Sequence, residues 1–160
     1  MRVHLVQFDI AWENPPANWA TVEAMIDKAS IPPGGLIVLP ELGDVGFSMA
    51  VDRTTGTKSD QWAAQLAQRC ACWVLHGWAE MSPSGNASNV AGLAAPNGQI
   101  VGQMTKLHPF SPMKEAQAYA PGAALTLFRE VAGATICPLI CYDLRFPEVF
   151  RAATFAGAEV

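Results

Sequence analysis

The sequence has few basic residues and no long apolar run. Its 160 residues include 10 Lys and Arg against 14 Asp and Glu, which gives a net charge of -4. The basic residues are scattered and form no stripe, which argues against nucleic-acid binding. No apolar run approaches the length of a membrane span. The N-terminus, Met1-Arg-Val-His-Leu5, breaks its apolar pattern too early for a signal peptide. We therefore predict a cytoplasmic protein that binds neither nucleic acid nor membrane.

The sequence has four cysteines, and their spacing argues against disulfide bonds and against a structural zinc site. Four cysteines at irregular spacing, without a secretion signal, predict reduced thiols in a cytosol. Neither Cys70 with Cys72 nor Cys137 with Cys141 has the C-x-x-C spacing of a structural zinc site. We interpret Cys70 and Cys137 as thiols of the hydrophobic core.

The composition is that of a protein with a core, since 51% of the residues are hydrophobic and 15% are charged. The length fits one domain over residues 1–160. Apolar patterns predict strands over 2–8, 36–39, 72–78, 89–95, 100–105, 125–128 and 134–141, and helices over 17–29 and 59–71. Loops are predicted over 82–88 and 106–122. The strand–helix–strand opening indicates a mixed α/β sheet.

An apolar run that begins at Ala134 ends in a polar turn at Cys141. The run predicts a buried strand, with a bulge or a weak point at Pro138. A helix is predicted to begin near Pro147, because proline suits the first helical turn. A cysteine between a strand and a helix has its sulfur at the rim of a sheet, where a nucleophile is useful.

Several interpretations of the polar residues stay open at this point. Cys141 alone also fits a buried structural cysteine. A nucleophile needs a base, and His108 is the candidate histidine, since His4 and His76 lie inside predicted strands. Glu41 fits either a solvated carboxylate or the lining of a cleft at the carboxyl end of strand 36–39.

Three separated segments resemble the nitrilase superfamily of carbon–nitrogen hydrolases. They are Leu39-Pro-Glu41 with the following Gly46-Phe-Ser48, Lys106-Leu-His-Pro-Phe110, and Ile140-Cys-Tyr-Asp-Leu-Arg-Phe-Pro-Glu148. The loop with Glu115 and Tyr119, and the Gly46-Phe-Ser-Met49 segment, are most similar to the omega-amidase branch. The resemblance implies a four-layer α-β-β-α sandwich, and it implies that Glu41, Lys106 and Cys141 are catalytic.

The resemblance also implies a mechanism. Cys141 would attack an amide carbonyl, Lys106 would lower the pKa of its thiol, and Glu41 would be the general base. The oxyanion would be held by Lys106 and the backbone N–H of Tyr142. Glu115 would orient Lys106 or the substrate, or else be a solvated loop carboxylate. No metal or organic cofactor is needed for this chemistry.

The implied activity is release of ammonia from a small ω-amide of a dicarboxylate by a homo-oligomeric enzyme, with a homodimer as the simplest form. Nitrile hydrolysis and N-carbamoyl amide hydrolysis remain alternatives, because they share the same three residues. Family members are substantially longer, so we expect a sandwich that is incomplete at the C-terminus. A non-catalytic remnant, unstable in isolation, is the remaining alternative.

Overall fold

The computed structural model describes residues 1–82 and 85–160; Pro83 and Ser84, in the predicted loop 82–88, lie outside the described residues. The strands are β1 (Val3–Leu5), β2 (Leu36–Val38), β3 (Trp73–Met81), β4 (Ala87–Ala94), β5 (Ile100–Thr105), β6 (Phe128–Val131) and β7 (Ala134–Ile136). The helices are α1 (Pro15–Ala29), α2 (Val51–Thr54), α3 (Ser59–Cys70) and α4 (Pro147–Phe155). The chain is therefore mixed α/β, as predicted.

Five strands form a mixed sheet in the order β1-β2-β3-β4-β5, and β6 and β7 form a second, two-stranded sheet. The β1–β2 and β2–β3 pairs are parallel, whereas β3–β4 and β4–β5 are antiparallel. Strands β1, β2, β3 and β5 therefore run in one direction. Their carboxyl ends lie at one edge of the sheet, where polar residues at strand ends can meet.

Side chains of the five-stranded sheet alternate between two buried faces. One face packs against α1 and α3 in a core of Val22, Ile26, Ile37, Trp62, Ala63, Leu66, Ala67, Val74 and Ala94. The other face packs against the second sheet through Leu36, Leu93, Phe128, Val131 and Ile136. Leu36 and Ile37 thus enter opposite cores, as predicted for a strand buried on both faces. Helices α1 and α3, the five-stranded sheet and the second sheet thus form successive layers, as expected for an α-β-β-α sandwich.

Local signals set the helix ends. Asn14 caps α1, because its side chain accepts a hydrogen bond from Ala17 N, and Pro15 and Pro16 occupy the first helical positions. Helix α4 begins at Pro147, as the sequence predicts. The short helix α2 lies in a segment for which the apolar pattern predicts neither a helix nor a strand.

Two strand predictions near the Cys141 segment were wrong in extent. The strand expected over 125–128 lies at β6, because Phe128 and Val131 are the residues that fill the core between the sheets. The strand expected to reach Cys141 ends at Ile136. Pro138 has no N–H to donate to a strand ladder, which explains why the ladder stops before it.

A buried carboxylate supports the loop that follows β2. Asp44 is fully buried and accepts hydrogen bonds from the hydroxyls of Thr57, at 3.0 Å, and Ser59. Its second oxygen has no partner among the described residues. Burial raises the pKa of Asp44 above its ordinary value of 3.8, although the two hydroxyls act in the opposite direction. The cluster links this loop to the start of α3.

The raised pKa of Asp44 predicts a pH-dependent loss of stability. The folded chain binds the proton more tightly than the unfolded chain, so the contribution is complete below pH 3.8 and falls as the pH rises toward the folded pKa. We expect the free energy of unfolding of the wild type to fall relative to Asp44→Asn over this range. The loss is about 1.4 kcal/mol per unit of pKa shift. Urea unfolding of both chains between pH 3.5 and 7 measures it, and parallel curves would contradict the prediction.

Candidate active site

Glu41 lies just beyond the carboxyl end of β2, at a position where the sequence leaves open either a solvated carboxylate or the lining of a cleft. Its side chain is 18% exposed. The next residue, Leu42, has a left-handed φ of 45°, which turns the chain sharply after Glu41. Gly77 of β3 allows this turn to lie against the sheet, since a Cβ there would meet Leu42 N and Pro40 O at 2.8 Å. The close approach fixes the backbone of Glu41 at the sheet edge.

Lys106 follows the last residue of β5, at the same edge as Glu41. Its side chain is 1% exposed, and Nζ donates to Glu41 Oε1 at 2.6 Å and to Glu115 Oε2 at 2.8 Å. Burial alone lowers the pKa of Lys106. The hydrogen bonds to Glu115 and Glu41, with their charges, outweigh burial and raise the pKa above its usual value. Lys106 is therefore a charged ammonium at neutral pH.

Glu115 lies on a single 3-10 turn, Glu115–Gln117, within the long loop after β5. It is fully buried, and so it is not the solvated loop carboxylate left open by the sequence. Its Oε2 accepts a second hydrogen bond from Phe110 N at 2.5 Å. A fully buried carboxylate needs such partners, and Lys106 supplies the opposite charge.

Asn89 is a site residue that sequence reasoning missed. It lies on β4 and is 1% exposed. Its Nδ2 donates to Glu41 Oε1 at 2.8 Å and to Glu115 Oε1 at 2.9 Å. Its backbone carbonyl accepts from Lys106 N at 2.9 Å. The available signal was one amide at the start of an otherwise apolar strand. We call Glu41, Asn89, Lys106 and Glu115 the lysine cluster.

Cys141 begins a 3-10 turn, Cys141–Arg145, and its residue is exposed. Its φ is 46°, in the left-handed region, where a non-glycine residue costs about 1–2 kcal/mol. The turn is therefore held by its surroundings. The backbone N–H of Tyr142 lies in the first turn of this helix, where N–H groups have no partner within the helix. The Tyr142 ring is held between Phe110 and Phe146.

The groups around Cys141 act on the pKa of its thiol in opposite directions. Burial, the Glu41 charge and a hydrogen bond to Glu41 raise the pKa of the Cys141 thiol above its ordinary value. Lys106 acts in the predicted, lowering direction, but Glu41 and burial outweigh it. The predicted effect of Lys106 is therefore present, but the net shift of the Cys141 pKa is upward. In the free site the thiol keeps its proton and faces a carboxylate that can accept it.

Asp143 joins the turn of Cys141 to the loop of Lys106. It is fully buried and accepts from Ile140 N at 3.0 Å and His108 N at 2.9 Å. His108 Nδ1 is 2.8 Å from the same carboxylate, and its ring stacks on Phe146 at 3.6 Å between centroids. His108 is thus engaged with Asp143, and Glu41 is the group that perturbs the Cys141 thiol. The candidate Cys/His pair is not favoured.

Two cavities meet at Cys141. One of about 130 Å³ is lined by Glu41 and Cys141 together with apolar residues of β2, β3 and β4. The other, of about 420 Å³, is lined by Leu139, Cys141 and Leu144 and by residues of α4. Cys141 is accessible to a small molecule from either side. In the described part of the chain, no three His, Cys, Asp or Glu side chains are grouped as metal ligands. None of its helices is long and apolar enough to span a bilayer.

A cysteine on a strained turn, beside a buried lysine and two carboxylates, is an arrangement suited to hydrolases that act through a thiol nucleophile. The family model for carbon-nitrogen hydrolases matches residues 2–160, and the chain belongs to this family. The predicted membership in the nitrilase superfamily is thereby confirmed.

Known relatives agree with this placement. The chain is 31% identical to the 2-oxoglutaramate amidase of Bacillus subtilis over 162 residues, which cover 99% of this chain and 62% of the relative. It is 31% identical to the omega-amidase YafV of Escherichia coli, over 92% of this chain and 56% of the relative. The crystal structure of XC1258 from Xanthomonas campestris, a CN-hydrolase superfamily protein, superimposes with a TM-score of 0.83 at 28% identity, covering 92% of this chain and 56% of that one. The chain thus spans about three fifths of the length of these relatives.

Proposed function

We propose that this chain carries the catalytic residues of an amidase that releases ammonia from a small ω-amide of a dicarboxylate. The observation that supports it most is the lysine cluster beside Cys141, in which Lys106 bonds to Glu41 at 2.6 Å and to Glu115 at 2.8 Å. Relatives named 2-oxoglutaramate amidase and omega-amidase favour this substrate class. The proposed catalytic residues are Glu41, Lys106 and Cys141.

In the first half of the proposed reaction, the Cys141 sulfur bonds to the amide carbonyl carbon and Glu41 takes the thiol proton. Because the thiol keeps its proton in the free site, proton transfer accompanies attack. Lys106 Nζ has one N–H beyond its two carboxylate bonds, and with the Tyr142 N–H it stabilises the oxyanion. The C–N bond then breaks, Glu41 returns the proton to the nitrogen, and ammonia leaves a thioester on Cys141.

In the second half, water attacks the thioester carbonyl and gives one proton to Glu41. The C–S bond breaks, the sulfur receives that proton, and the carboxylic acid is released. Glu115 stays buried throughout and holds Lys106 through its Oε2. Glu41 is the general base in both halves of the reaction, and no atom changes its oxidation state.

We also propose that the protein works as a homodimer in the cytoplasm. All four cysteines are free thiols, which supports a reducing compartment. The dimer follows from the family resemblance, and sedimentation of the purified protein measures it.

Ammonia release from a panel of compounds tests the proposed activity. The panel contains 2-oxoglutaramate, glutaramate and succinamate as ω-amides, with a nitrile and an N-carbamoyl amide as alternatives. We expect release from at least one ω-amide, and a loss of about 10³-fold or more in Cys141→Ala, since nucleophile removal has effects of this size. Mass spectrometry of the quenched reaction should show the acyl group on the Cys141 peptide.

The control and the alternatives have distinct results. Release from the nitrile or the N-carbamoyl amide alone would replace the amidase proposal with that activity. Equal release by the wild type and Cys141→Ala would contradict the role of the thiol. Cys137→Ala is the matched control, because Cys137 is a buried cysteine four residues away, and it should keep activity.

A further inference from the structure

Asn89 contacts every other member of the lysine cluster. Its side-chain amide bonds to Glu41 and Glu115, and its backbone carbonyl bonds to Lys106 N. Within the described part of the chain, no other residue forms hydrogen bonds with all three. The residue lies on a central strand between β3 and β5, so its backbone position is fixed by ladders on both sides. We infer that Asn89 is a positioning residue, which presents Glu41 to Cys141 and holds both carboxylates in place around Lys106.

The orientation of the Asn89 amide follows from its neighbours. Ionised carboxylates only accept hydrogen bonds, so the group that faces Glu41 Oε1 and Glu115 Oε1 must be the NH₂. The reversed amide would place its oxygen against two carboxylate oxygens. Both donor hydrogens of Nδ2 are therefore committed to the two glutamates, at 2.8 and 2.9 Å.

The same contacts divide the oxygens of Glu41 into two roles. Oε1 accepts from both Lys106 Nζ, at 2.6 Å, and Asn89 Nδ2, at 2.8 Å. The other oxygen, Oε2, has neither donor and remains for the Cys141 proton. Two donors on one oxygen also fix the rotation of the Glu41 carboxylate. A general base needs such a fixed orientation, because it must lie within hydrogen-bond reach of the proton that it accepts. Lys106 alone would leave that rotation less restricted.

The carbonyl oxygen of Asn89 indicates that the amide is not there for packing. Oδ1 is buried and has no hydrogen-bond partner among the described residues. A buried acceptor without a partner lowers stability, and a leucine at this position would avoid that loss. The two donated hydrogen bonds are what the amide adds. They hold the carboxylates of Glu41 and Glu115 on either side of the amide.

This inference rests on the proposed function for its kinetic part only. Asn89→Leu has a similar volume and no donor. We expect kcat to fall about 10- to 100-fold with little change in KM, since the residue does not touch substrate.

A second readout needs no turnover. Crystal structures of the wild type and of Asn89→Leu compare the orientation of the Glu41 carboxylate. We expect this carboxylate to rotate in the variant, because Lys106 is then the one remaining donor to Oε1. Asn89→Asp, which has the same size but no NH₂ donor, should have the same effect and is the substitute variant if Asn89→Leu does not fold.

Asn18→Leu is the matched control. Asn18 is equally buried, at 1%, and donates to the carbonyls of Ala11 and Asp44 away from the lysine cluster. It should lose stability without moving the Glu41 carboxylate or lowering kcat. An unmoved Glu41 carboxylate in Asn89→Leu and Asn89→Asp, or an equal movement in Asn18→Leu, would overturn the inference. Absence of ammonia release by the wild type would contradict the proposed function, and the position of the Glu41 carboxylate would still decide the role of Asn89.

Discussion

Replacing Lys106 with methionine is expected to abolish ammonia release and to lower the free energy of unfolding by about 3–5 kcal/mol. The size of the stability loss follows from burial. Lys106 and Glu115 are 1% and 0% exposed, so removing the ammonium leaves a buried carboxylate without its counter-ion. An unpaired buried charge is far more costly than a missing exposed ion pair. The loss is of the same order as the whole stability of a small domain.

Urea unfolding of the wild type and two variants separates the electrostatic cost from other effects. The double variant Lys106→Met with Glu115→Gln should recover part of the stability, because the buried charge is then absent, but it should recover no activity. Lys28→Met is the matched surface control on α1 and should change stability by about 0.5 kcal/mol or less. A cost below about 1 kcal/mol for Lys106→Met would show that the cluster is not desolvated as described.

Replacing Glu41 with glutamine is expected to make Cys141 more reactive and the enzyme less active. The Glu41 charge and its hydrogen bond both raise the pKa of the Cys141 thiol, whereas Lys106 lowers it. The variant therefore has a lower thiol pKa, and alkylation of Cys141 by iodoacetamide at pH 7 should be faster. Ammonia release should nevertheless fall about 10²- to 10⁴-fold, because the general base is gone.

The two measurements are made on the same samples. Alkylation is followed on the Cys141 peptide by mass spectrometry, which separates it from Cys70, Cys72 and Cys137. Glu115→Gln is the comparison, since the Glu115 charge is the smallest of the influences that raise the pKa of Cys141, and it should change alkylation less. Slower alkylation in Glu41→Gln would mean that the carboxylate activates the thiol before substrate binds, which contradicts this account.

The fold could be predicted where local pattern and burial agree. The all-apolar β2 was predicted to have both faces buried, and Leu36 and Ile37 do enter opposite cores. The strand over 125–128 was misplaced because Leu125–Phe128 is more apolar than β6, whose Arg129 and Glu130 are exposed, and the contact of Phe128 and Val131 with the first sheet decides where the strand lies. Pro138 was seen as a weak point, but the sequence alone did not show that the ladder ends at Ile136.

The residues of the candidate site could likewise be predicted only in part. Glu41, Lys106 and Cys141 each follow a strand or begin a turn, and that position together with the family resemblance made them predictable. Asn89 lies inside a strand, and its partners are 48 residues before it and 26 residues after it, so no local pattern connects them. The burial of Glu115 could not be predicted either, because the loop that carries it has no hydrophobic periodicity. The direction of the pKa shift at Cys141 could not be predicted without the positions of the charges on Glu41, Lys106 and Glu115.

The contacts of Asp143 affect the order in which the candidate site assembles during folding. One carboxylate accepts hydrogen bonds from residues on two segments that lie 35 residues apart, at His108 and Ile140. Neither segment can take its final path until both are present, so the nucleophile and its lysine are brought together in one long-range step. A chain still emerging from the ribosome, or one that is partly folded, would therefore carry an ordinary cysteine. Because the completed site raises the pKa of the Cys141 thiol, the last folding step would make the free thiol less reactive toward alkylating agents than it is in the partly folded chain.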